Sequence, residues 1–104
     1  MIKVNIKKNN EVIEEISIKG HAMFDDYGKD IVCAGVSSSL ITTVNAIISF
    51  DKDSINYNTK PYFILSNNKN DNITNTLLDN FVSILYEMEN NYRNNIKVKE
   101  ESNE

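Results

Sequence analysis

The chain carries one histidine, His21, and one cysteine, Cys33, twelve positions apart in the stretch GHAMFDDYGKDIVCAGVSSS, residues 20–39. A thiol and an imidazole are what nucleophilic catalysis by cysteine requires: the thiolate attacks and the imidazole moves the proton. A lone cysteine excludes an intramolecular disulfide and a four-cysteine zinc site. Three roles remain for Cys33: inert core packing, a redox-sensitive thiol, or a nucleophile. His21 reads either as a solvated, hydrogen-bonded bystander or as the partner of Cys33. A shared metal is disfavoured, because further ligands would have to come from Asp25, Asp26 or Asp30, a mixture of hard and soft donors unlike structural zinc. Neither a metal nor a cofactor is expected.

The position of Cys33 matters more than its type. From Asp30 onward, Val36, Leu40, Val44, Ile47 and Ile48 recur at helical spacing. This predicts a helix over 31–50 with Asp30 as its N-cap. Cys33 then lies in the first turn, where unpaired backbone N–H groups and the positive end of the dipole favour an anion. Lowering a thiol pKa by two units takes about 2.7 kcal/mol. A helix N-terminus supplies at most roughly 2 kcal/mol. A second group is needed, and His21 is the candidate, leaving the end of a strand while Cys33 opens the helix.

The neighbours have double readings. Asp30 either caps the helix or orients His21, and a carboxylate beside the thiol would raise the thiol pKa. Ser37, one turn after Cys33, lines the site or faces solvent. Ala34 and Gly35 leave little bulk beside the sulfur. The N–H groups of Cys33 and Ala34 are candidate oxyanion donors, and small residues equally permit close helix packing.

The elements that position this pair follow from periodicity. Ile2, Val4 and Ile6 alternate with Lys3, Asn5 and Lys7, the pattern of a strand with one buried face. A turn at 8–10 leads to a second strand over 12–19, with a bulge expected at Val12 and Ile13. Residues 20–29 read as a loop. A second hairpin is expected from 55–57 and 62–66. Ile73, Leu77, Leu78, Phe81, Val82, Leu85, Met88 and Tyr92 mark an amphipathic helix. A short edge strand at 96–99 precedes a charged tail, 100–104, expected to be frayed. The fold class is α+β, with order β-β-α-β-β-α plus the short C-terminal strand. Two helices pack on one face of a small, mostly antiparallel sheet, forming a single domain over 1–99.

Composition narrows the function classes. No apolar run was expected to approach the roughly 20 residues that cross a membrane, and the alternating N-terminus does not read as a secretory signal, so the cytoplasm is the expected compartment. A net charge of −4, with no basic stripe evident along the chain, argues against nucleic acid and for a basic protein or peptide partner.

With Gly20, His21, Ala22, Gly28, Asp30, Ile31, Val32, Cys33, Ala34, Val36 and Ser37 in place, the segment resembles the ribosomal-processing cysteine protease family, Prp. The likeness extends through VNAI at 44–47, INY at 55–57 and the late helix. It implies a homodimeric cysteine endopeptidase that removes the N-terminal extension of ribosomal large-subunit protein twenty-seven, cutting after paired phenylalanines. It also implies Cys33 as nucleophile, His21 as general base, and 22–29, with Ala22, Asp25, Asp26 and Gly28, as a loop over the substrate. Two rival classes stand beside it: a noncatalytic ribosome-assembly module holding the same peptide, and a redox-sensing thiol protein.

Overall fold

The computed structural model describes residues 1–20 and 31–103. Seven elements follow in order: β1 (Ile2–Asn9), β2 (Val12–Lys19), α1 (Ile31–Phe50), β3 (Ile55–Asn58), β4 (Phe63–Asn67), α2 (Asn72–Asn91) and β5 (Ile96–Asn103). The strands form one sheet in the order β3-β4-β2-β1-β5. Its β1–β2, β2–β4 and β3–β4 pairs are antiparallel, and β1–β5 is parallel. The fold is α+β in the expected order, with a mixed sheet.

The hairpin closes through Asn10 and Glu11, both at positive φ (51° and 68°), as a two-residue turn matched to strand twist demands. The hairpin carries a bulge, but not at the expected Val12 and Ile13, which pair regularly with Asn9 and Lys8: Lys7 pairs with Glu15 and Lys8 with Ile13, so Glu14 is the extra residue. One face of the sheet is apolar. Ile2, Val4, Ile6, Ile16, Ile18, Phe63, Leu65, Ile96 and Val98 are buried with Val36, Leu40 and Ile47 of α1 and Leu78, Phe81 and Leu85 of α2. Asp71 starts α2 by accepting from the Thr74 backbone N–H at 2.8 Å and from the Ser54 hydroxyl at 2.9 Å. These hydrogen bonds hold its carboxyl below the usual carboxylate range, and they tie the α2 N-terminus to the start of the β3–β4 hairpin.

Three further expectations are corrected. Residues 100–103 are not a frayed tail but the second half of β5, in register with Ile6 to Asn9 of β1. Their charge conceals this, because they bind laterally: Lys8 Nζ lies 3.2 Å from Glu100, and Asn5 donates to Glu101 at 2.7 Å. The domain therefore runs past 99. The outer edge of β5 is partly covered, since the Val98 N–H donates to Glu89 of α2 at 2.7 Å. Secondly, α1 is long and apolar enough to cross a membrane, at 20 residues and mean hydropathy 1.8. Serine and threonine residues masked this in the sequence, yet their hydroxyls bond back into the helix, Ser39 to the Gly35 carbonyl and Thr43 to that of Ser39. One stripe of α1 packs into the common core. Thirdly, a basic row does exist. Strand register sets Lys19, Lys3 and Lys97 side by side on the sheet face opposite the helices, a clustering that positions 3, 19 and 97 do not announce.

Candidate active site

β2 ends at Lys19, and Gly20 follows it with a φ of 77°, in the left-handed region. A Cβ there would strike the main-chain carbonyl oxygen of Met1, so both conformation and space call for glycine. His21, the next in sequence, lies outside the described residues, as do Ala22, Asp25, Asp26, Gly28 and Asp30; the expected cap at Asp30 and the loop over 22–29 fall there too.

The chain is described again from Ile31, where α1 begins as the spacing predicts. Cys33 is its third residue and is half-buried, packed against the margin of the core. Its buried neighbour Val32 and Val36, one turn on, fix the helix start in the common core. The sulfur is thus fixed by a rigid element while keeping an accessible side. No acidic residue of α1 occupies the first turn, so the helix itself adds no carboxylate to offset the positive end of its dipole. These are the conditions that favour a thiolate and a developing oxyanion at the same place.

The supporting residues separate. Ser37 is half-buried on the same flank as Cys33, one turn later, whereas Ala34 is exposed and its side chain adds nothing to a pocket wall. As the fourth residue of α1, Ala34 also has its backbone N–H committed to the helix, so of the two expected oxyanion donors only the first-turn N–H of Cys33 is in position. Gly35 serves packing: a Cβ there would meet the Met88 Cε of α2. Small size at 35 lets α2 approach within two residues of the thiol. Sequence reasoning assigned Met88 to the core face of α2 and missed this proximity, which the i, i+4 stripe containing it does not reveal. Among the described residues no group of three or more His, Cys, Asp or Glu side chains is arranged to hold a metal ion.

The described half of the site can therefore present a nucleophilic sulfur at a helix N-terminus, flanked by a hydroxyl and by small residues. Comparison with known proteins agrees with this chemistry. The family model described as cysteine protease Prp matches residues 1–97. A ribosomal processing cysteine protease Prp of Staphylococcus aureus is 36% identical over 103 residues, covering 94% of this chain and 97% of that protein. The fold is similar to the crystal structure of Prp from S. aureus with a covalently linked product peptide, at TM-score 0.86 and 31% identity over 97% of this chain and 100% of that one. A second structure of the S. aureus protease, in complex with a substrate peptide, matches at TM-score 0.84 and 30% identity, with the same coverage of both chains. With the family model matching residues 1–97 and sequence and architecture shared along nearly its whole length, the chain belongs to the Prp family of cysteine proteases.

Proposed function

We propose that this protease removes the N-terminal extension of ribosomal large-subunit protein twenty-seven during ribosome assembly, with Cys33 as nucleophile and His21 as general acid and base. The observation that supports it most is the half-buried thiol in the first turn of α1, in a fold shared with a protease solved with a covalently linked product peptide. The Cys33 thiolate attacks the scissile carbonyl carbon. Backbone N–H groups in the first turn of α1, including that of Cys33, hold the oxyanion, and protonated His21 gives its proton to the leaving amine as the C–N bond breaks. Water then attacks the thioester, His21 takes its proton, and the acid product leaves the regenerated thiolate. Asp30 and Ser37 are supporting residues in this scheme. Residues 22–29 contact the peptide in this reading, and the reaction belongs to the cytoplasm, where the substrate is made.

The working unit is a homodimer. Ala34 and Ile41 fall on one exposed line of α1 at seven-residue spacing, Ile41 is 57% exposed, and only 28% of the most apolar stretch of the helix is buried within one chain. A second copy of α1 is a suitable cover for such a stripe.

The experiment is incubation of the extended ribosomal protein with purified wild type and Cys33→Ala, read by mass spectrometry. Wild type yields the shortened protein and the released extension, and Cys33→Ala yields neither. Binding of the extension by wild type with no product would establish the noncatalytic module instead. Partner binding that responds to Cys33 oxidation but not to His21→Ala would establish the redox sensor.

A further inference from the structure

The sheet face away from the helices is divided by charge. At the end where β1 and β5 begin and β2 finishes, Lys19, Lys3 and Lys97 stand in one cross-strand row, and Lys99 stands beside Asn5 in the next. All four lysines are exposed. They rim a depression of about 340 Å³, with Asn5 and Ser17 also lining it. Toward the other end, Lys7 pairs with Glu15 at 3.4 Å, and Glu101 accepts from Asn5. None of the four lysines makes an ion pair with a described carboxylate. Lys19 lies instead over the Tyr62 ring, 4.4 Å from its centroid.

Neighbouring strands are about 4.8 Å apart, so three ammonium groups share one row at a spacing where like charges oppose each other and destabilise a sheet. On a chain of net charge −4, this is a local inversion of sign. We propose that this lysine row is an RNA-binding face that holds the phosphodiester backbone of a single strand independently of base sequence.

Lysine contacts phosphate as a point charge, and the four exposed ammonium groups are the donors of this face, since the Asn5 amide already donates to Glu101 and Ser17 is buried. Base reading is absent from the design, because the aromatic ring in the patch, Tyr62, is already covered by Lys19. RNA is favoured over an acidic protein because the relatives act in ribosomal processing, where the surrounding polyanion is RNA; in that choice alone the inference rests on the proposed function. Lys19, at the end of the row, is three positions short of Ala22 in the sequence and directly precedes Gly20 and His21. RNA held there would keep the protease beside a ribosomal substrate.

The test measures binding of a fluorescent single-stranded RNA to the Cys33→Ala protein and to the same protein carrying Lys3→Gln and Lys97→Gln. Each phosphate neutralised on a single strand contributes a slope of roughly −0.7 in log affinity against log salt. Four lysines then lose about 50-fold in affinity between 50 and 200 mM salt, and the doubly neutralised variant only about 7-fold. In the cleavage-competent background, the lysine changes leave cutting of an isolated peptide at the wild-type rate, so a failed protease reading and a failed RNA face give different results. Absence of RNA binding at low salt overturns the proposal. So does RNA binding that is unchanged by the two substitutions, or equal lysine-dependent binding of polyglutamate or of phosphatidylserine vesicles.

Discussion

Cys33 and His21 stood out because the chain has no second residue of either kind, and the structure places Cys33 where the helix spacing puts it. Its neighbours were less legible. Ala34 and Gly35 look equivalent in sequence, yet one faces outward and the other receives Met88 from a helix more than fifty residues away. Local spacing cannot report a contact of that kind. Gly20 and Gly35 likewise differ in what they tolerate. Gly35→Ala displaces the flexible end of a methionine, whereas Gly20→Ala meets a main-chain oxygen at a φ that disfavours any side chain. The positive φ alone costs about 1–2 kcal/mol. Thermal unfolding of Gly20→Ala should accordingly show Tm lowered by roughly 5–15 °C, with a distinctly smaller change in Gly35→Ala. Equal losses in the two variants would contradict the close approach of Gly20 to Met1.

Among the elements, both helices and all five strands were readable from apolar periodicity, because one covered sheet face and two amphipathic helices impose clean periods on the sequence. The second half of β5 was not. Glu100, Glu101 and Ser102 carry no apolar alternation, and their pairing with β1 is set by register, a Lys8–Glu100 ion pair and the Asn5–Glu101 hydrogen bond. Asp71 was missed for a related reason, since it sits in a polar run in which any of several residues could have capped α2. Its carboxyl has a lowered pKa, chiefly through the Thr74 backbone N–H. Lowering an acid's pKa in the folded state stabilises the fold above the unfolded value of 3.8, and this is lost as pH falls through the folded value. Chemical denaturation should thus show Asp71→Asn less stable than wild type at pH 7, with the gap closing below pH 3.8 as the wild-type carboxyl protonates. A gap that persists undiminished in acid would show that charge at the cap is irrelevant.

At the scale of the whole molecule, net charge was the least informative quantity, because a mean over the chain hides a face on which strand register collects lysines. The exposed line of α1 is a second property visible only once its other faces are covered. If a second chain covers it, sedimentation should give a dimer for wild type and a monomer for Ile41→Glu, and a wild-type monomer at micromolar concentration would exclude that assembly. The central claim is that the Cys33 sulfur itself breaks the peptide bond. The most direct measurement is intact-protein mass spectrometry of wild type, quenched with acid during turnover of the extended substrate. The account predicts a thioester adduct equal in mass to the released extension less one water, located on Cys33 and abolished in Cys33→Ala. Undiminished cleavage by Cys33→Ala would contradict it.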